Sequence, residues 1–172
     1  LTENIPKSFN LVNENLIENP TRVHNSKGII ERLIANAQTY YDNVSKFVYG
    51  NSYTAYDTNV QLVDGKYQID CSSFANLMIH GVPFESSRYN GNSKSSLFFN
   101  NLDSYKWRYA HQIAEYAFNK GYAFKPKSDF SNVEPGDILF FSWNGGISGD
   151  LEDGVREHAF MKIDHVAVFL DR

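Results

Sequence analysis

At 172 residues the chain fits one domain and is long enough to bury a sizeable core. Hydrophobic residues at 42% against 21% charged give the composition of a soluble globular protein. A net charge of -4 and no long run of Lys or Arg leave no basic field to capture nucleic-acid phosphates or an anionic membrane. Aromatic residues reach 15%, mostly Tyr and Phe, and most are expected in the core and its rim.

In chain order, residues 1 to 25 are rich in Asn, Glu and Thr and lack periodicity, so they read as a linker or extended arm. Residues 26 to 172 then form the domain. Asn25 or Ser26 is placed to cap a helix beginning near Gly28. Its apolar stripe reads Ile29, Ile30, Leu33, Ile34, Ala37, Tyr41, Val44 and Phe47. The polar stretch from Tyr49 to Gly65 reads as a loop. From Cys71 to His80 the residues Phe74, Ala75, Leu77, Met78 and Ile79 predict a buried helix, stopped by Gly81 and Pro83. Residues 86 to 96 read as a surface loop.

Ser104 is placed to cap the next helix, which carries Trp107, Ala110, Ile113, Ala114, Ala117 and Phe118 and stops at Gly121. After the Pro135-Gly136 turn, Asp137 to Ser142 reads as a buried strand, and Ile163 to Leu170 as a second. Gly145 to Gly154 between them is a loop. Helices first and strands afterwards imply an α+β domain. No stretch is apolar enough over enough length to span a bilayer, and no signal peptide is visible. The chain opens on Leu1 and closes on Arg172 directly after an apolar run, so the expectation is a domain excised from a longer protein.

The single cysteine excludes an intramolecular disulfide and a Cys-rich metal site. Its setting, Asp70-Cys71-Ser72-Ser73-Phe74, puts the thiol at a helix start. There the helix dipole favours a thiolate, and Asp70 or Ser72 can cap. The competing reading is an inert buried cysteine beside an ordinary cap. His165 opens the apolar run Val166-Ala167-Val168-Phe169, a rim position from which a general base can face a nucleophile on another element. Among the other histidines, His24 lies in the arm, His111 inside a surface helix, and His80 at the far end of the cysteine helix. His158 is the serious rival.

Three segments in this order resemble the NlpC-type family of cell-wall peptidases, which have a trimmed papain-like fold. They are Asp70-Cys71-Ser72-Ser73, then Pro135-Gly136-Asp137-Ile138-Leu139-Phe140-Phe141, then His165-Val166-Ala167-Val168-Phe169. His80-Gly81-Val82-Pro83 also fits the end of that family's catalytic helix. The likeness runs from about Tyr49 to the C-terminus. It implies N-terminal helices, including the catalytic one, packed on a small antiparallel sheet. Cys71 would be the nucleophile and His165 the base, with no metal and no cofactor. Tyr49, in Phe47-Val48-Tyr49-Gly50-Asn51, would sit near the oxyanion, with Tyr53 as the fallback, and Ser72 joins the oxyanion or substrate set.

Four departures stand out. Ser73 replaces the family's usual Gly, and the lead-in from Val60 to Asp70 is longer. An insertion from Trp143 to Lys162 separates the two final strands. The sequence ends seven residues after His165, before the strand that would carry a third catalytic residue, so the domain reads as truncated. Asp164, adjacent in a strand, would point to the opposite face and is not nominated.

The implied activity is cleavage of an amide bond in peptidoglycan stem peptides, as endopeptidase or amidase. The related CHAP-type amidases share the Cys and His order. A peptidoglycan peptide would be the substrate, at the cell wall, outside the cell or on a phage virion, within a larger multidomain or phage-tail protein. One alternative is an inactive member of the fold that binds cell wall or builds a phage tail. Another is metal chemistry through His158, His165, Glu157 and Asp164, whose spacing matches no recognised ligand pattern.

Overall fold

The computed structural model describes residues 27–50, 60–86, 109–142 and 159–171. Its elements are α1 (Lys27–Asp42), a 3-10 turn (Val44–Lys46), β1 (Phe47–Tyr49), β2 (Gln61–Val63), β3 (Lys66–Ile69), α2 (Cys71–Ile79), α3 (Ala110–Asn119), β4 (Ile138–Phe141), a second 3-10 turn (Phe160–Lys162) and β5 (His165–Val168). The chain is therefore mixed α+β, as its pattern of elements implies. The arm, the caps at Asn25, Ser26 and Ser104, and the loops over 87–96 and 145–154 lie outside the described residues. Two units can be distinguished. One holds 27–50, 60–86, 134–139 and 166–171, and the other holds 109–133, 140–142 and 159–165.

In the first unit, α1 buries Leu33, Ala37 and Tyr40, a spacing of four and three that makes one helical face. The stripe expected through Tyr41, Val44 and Phe47 is corrected here. Tyr41 is 68% exposed and Val44 63%, and the helix ends at Asp42. Counted from Ala37, the two adjacent tyrosines sit roughly 60° and 40° to either side of its face, a near-tie that periodicity alone does not break. Tyr40 is the inward one, and its phenol donates to the carbonyl oxygens of Val82 at 3.1 Å and Pro83 at 3.3 Å. Phe47 is delivered to the core as a strand residue, its ring 5.5 Å from that of Tyr40 and 5.6 Å from Phe84. Phe74 and Phe84 meet Tyr40 edge-on, which is the arrangement a ring quadrupole favours.

The stretch from Tyr49 to Gly65, expected to be a loop, ends in a hairpin. Gln61–Val63 pairs antiparallel with Lys66–Ile69, Leu62 opposite Tyr67. Asp64 and Gly65 make the tip with φ of 49° and 75°, the conformation that an Asp-Gly pair supplies at least cost. On its other side β3 pairs parallel with β1, Tyr49 opposite Ile69, giving the order β1-β3-β2. The sheet is thus mixed, it lies where no sheet was expected, and its strands precede α2.

Strand β3 runs through Asp70 into α2 without a loop. Asp70 is extended (φ -114°, ψ -179°), and its carboxylate accepts from the Ser73 amide at 2.8 Å, an N-cap. Leu77, Met78 and Ile79 are almost fully buried, each contributing ~1.5–3 kcal/mol of apolar burial. The helix stops where the sequence indicates. Gly81 takes φ +62°, its amide donates to Met78 O, and the Val82 amide donates to Leu77 O at 2.8 Å.

In the second unit, the helix expected from Ser104 begins at Ala110 instead. Tyr109 is extended (φ -117°, ψ 151°) and its amide donates to the Gln112 side chain at 3.0 Å, while Ser104 and Trp107 lie outside the described residues. The helix is not a surface one at this end, for Ala110, His111, Ile113 and Ala114 are buried. Gly121 ends it as Gly81 ends α2, with φ +74° and the Tyr122 amide on Ala117 O. The Phe118 ring meets Phe160 of the second 3-10 turn at 5.6 Å, and Val133, Ala159 and Ile163 are buried in this unit.

Strands β4 and β5 make a two-stranded sheet, each shorter than the run expected from sequence. Its bonds run Gly136 N to Phe169 O and Phe169 N to Asp137 O at one end, and Asp164 N to Phe141 O at the other. Numbers rise on one strand as they fall on its partner, so the pair is antiparallel.

Candidate active site

The site can be built from the α2 N-terminus outward. Cys71 is the first residue of the helix, free and half-buried. The Asp70 cap frees the first turn from competing geometry. It also takes the Ser72 hydroxyl, which donates to Asp70 Oδ1 at 3.0 Å. Ser72 is only 3% exposed. Its hydroxyl is therefore directed into the cap, and what Ser72 offers the thiol is its backbone amide.

Three donors converge on Cys71 Sγ: the Val166 backbone amide, the Tyr49 phenol and the Ser72 backbone amide. Each favours a thiolate. Opposing them, burial of the thiol is the largest influence, and the neighbouring Asp70 carboxylate adds to it. The net result is a thiol pKa above its ordinary value of 9.0. The expected activation by the helix start is thus outweighed in the resting site, because desolvation of a half-buried sulfur exceeds what a dipole end and three hydrogen bonds return.

The structure brings Tyr49 to Cys71. Tyr49 lies at the end of β1, 65% exposed, with its hydroxyl on the sulfur. Parallel pairing with Ile69 sets it there, since Ile69 is two residues before Cys71 along β3 and the Gly50 amide closes the ladder on Ile69 O at 3.1 Å. A side chain at Gly50 would have to displace that of Gln68. A Cβ there would run into the Gln68 side chain, with Cγ at 2.9 Å. Tyr53, the fallback, lies outside the described residues.

His165 is the first residue of β5 and half-buried, its ring tilted 5.8 Å from that of Phe141. It directly precedes Val166, whose amide holds the Cys71 sulfur. Just upstream, Met161 and Lys162 both have positive φ, at 52° and 54°, an uncommon conformation for side-chain-bearing residues. His80 is 3% exposed, with Nδ1 at 2.8 Å from Asn76 O at the opposite end of α2 from the thiol. His24, His158 and Glu157 lie outside the described residues. Among the described residues no group of three or more His, Cys, Asp or Glu is placed to hold a metal ion.

Two features of the structure carry no signal in the residues. The Val166 amide carries no side-chain signature; only its position after His165 points to it. The burial of His111 depends on what packs over α3, which periodicity does not report. Comparison of the chain with protein-family models, with curated proteins and with solved structures returned no match.

Proposed function

We propose that the chain is a cysteine hydrolase of the papain-like NlpC type that cleaves an amide bond in bacterial peptidoglycan stem peptides. The observation that carries this reading is the convergence of three hydrogen-bond donors on a thiol held at the first residue of a capped helix.

In this reading Cys71 Sγ attacks the amide carbonyl carbon as His165 takes the thiol proton. The carbonyl oxygen becomes an oxyanion, stabilised by the Cys71 amide at the helix start and by the Tyr49 phenol once the sulfur no longer needs it. His165 returns the proton to the leaving nitrogen, the C–N bond breaks, and a thioester remains. Water, deprotonated by His165, attacks the thioester, releasing the carboxylic acid and restoring the thiol. The substrate peptide, and a place at the cell wall, outside the cell or on a phage virion, belong to the same proposal.

A second reading has its own observation. A thiol pushed up by burial fits a domain that kept this architecture and binds wall or builds a phage tail without cutting. The rate of Cys71 alkylation by iodoacetamide against pH separates the two. Under the hydrolase reading, native protein labels quickly below pH 9 through a Cys–His pair, His165→Ala loses that fast labelling, and purified peptidoglycan releases new amine termini. Labelling that rises only above pH 9 and ignores His165, with intact peptidoglycan, would leave the binding module.

A further inference from the structure

His111 plays no part in the chemistry above, and its surroundings are unusual. It is the second residue of α3 and only 9% exposed. Among the described residues neither Nδ1 nor Nε2 has a hydrogen-bond partner. The ring lies nearly parallel to that of Tyr109, at 11° and 5.6 Å between centroids. A neutral imidazole buried in this way leaves one N–H and one lone pair unanswered, a cost folded proteins rarely accept. A protonated one would leave two N–H groups and a full charge unanswered, which costs much more.

We propose that His111 is an acid-sensitive latch in the unit built on α3: a proton taken up by its buried, unpartnered imidazole loosens that helix. The position compounds the effect, because an imidazolium in the first turn meets the positive end of the helix dipole. The Tyr109 face would attract the cation, but a ring on one side does not replace the water lost on all others. Burial accordingly holds the His111 pKa below its ordinary value of 6.5, and it is the one cause of the shift. The charged groups on the surrounding elements do not offset it. Among the described residues these are Glu115 one turn along α3, Lys120 at its end, Lys162 of the 3-10 turn packed on it, and Asp164 beyond. Glu115, Lys120 and Lys162 are exposed to solvent.

The sign follows by linkage. Above pH 6.5 the imidazole is neutral whether the helix is closed or open. As pH falls below 6.5 the open form binds the proton first, and closure loses stability until the folded pKa is passed.

The test is hydrogen–deuterium exchange of the whole chain at pH 7.5 and 5.5, corrected for intrinsic exchange rates, comparing Ala110–Asn119 with Cys71–Ile79 as internal control. The expected result is exchange in α3 that is faster by roughly threefold to tenfold at pH 5.5, with α2 unchanged and the increase absent in His111→Phe. An α3 unaffected by acid, or one that loosens as much in the variant, overturns the proposal. If His111→Phe does not fold, the His111 C2-proton titration in the native protein decides: an apparent pKa at or above 6.5 overturns it, and one below 6.5 supports it.

Discussion

The beginnings of α2 and α3 are built alike and filled differently. Each follows an extended residue, Asp70 or Tyr109, and each helix ends on a positive-φ glycine. Each also carries a titratable side chain in its first turn that burial holds neutral. At α2 it is a thiol kept protonated, at α3 an imidazole kept deprotonated. The difference is in the company they keep. Cys71 has three donors ready for its charged form, whereas among the described residues His111 has no partner for either form. The first arrangement lowers the cost of ionisation and the second leaves it whole. The two also bound a pH window. A raised thiol pKa gives stability that is present below 9.0 and lost as pH climbs through the folded value. A lowered imidazole pKa withdraws stability below 6.5.

The sharpest way to break the comparison is at the sulfur. Cys71→Ala should reduce release of amine termini from peptidoglycan by at least ~10³-fold, with the thermal midpoint nearly unchanged. Retained activity would remove the thiol from the chemistry. Next comes the cap. Asp70→Ala should cost about 1–2 kcal/mol in urea unfolding, since it loses the bond to Ser73 N and strands the Ser72 hydroxyl. Asp70→Asn, which keeps an acceptor and removes the charge, should instead lower the pH at which Cys71 alkylates, because that carboxylate raises the thiol pKa. If Asp70→Asn raises it, the cap matters more than the charge.

Smaller effects test the shared design. Gly81→Ala and Gly121→Ala should each cost about 1 kcal/mol by denaturant midpoint, the strain of a Cβ at positive φ. Unequal costs would mean one helix end is held by more than its glycine. Smallest in stability is Tyr49→Phe, expected to change it by less than ~0.5 kcal/mol because the side chain is largely exposed. It should still slow alkylation at neutral pH by a few-fold, since one donor to the thiolate is gone.

The parts of the fold legible from sequence are those set by local chemistry. The Asp70 cap, the buried run Leu77-Met78-Ile79 and the stops at Gly81 and Gly121 each depend on a few adjacent residues. The misread parts depend on partners far along the chain. β1 is three residues long, too short for alternation to show, and exists because β3 lies parallel to it. The choice between Tyr40 and Tyr41 is made by the carbonyls of Val82 and Pro83, more than forty residues away. Asp64-Gly65 between Gln61-Leu62-Val63 and Lys66-Tyr67-Gln68-Ile69 is a local hairpin signature set inside a polar, turn-rich stretch. In the site, only the family resemblance singles out Tyr49, and its position beside Cys71 depends on the pairing of β1 with β3. The burial of His111 had no sequence cue.

The direct passage from β3 into α2 has a consequence for how this chain tolerates change in length. Between the tip at Asp64-Gly65 and the thiol there is no slack, since every residue is either laddered or capping. One residue added after Lys66 would turn the rest of the strand over and displace the start of α2 by about 3.3 Å along the ladder. The sulfur would then leave its donors. One added at the exposed tip would be absorbed by the turn. Tags, labels or length variation therefore belong at 64–65, and the five residues that follow are a ruler for the thiol.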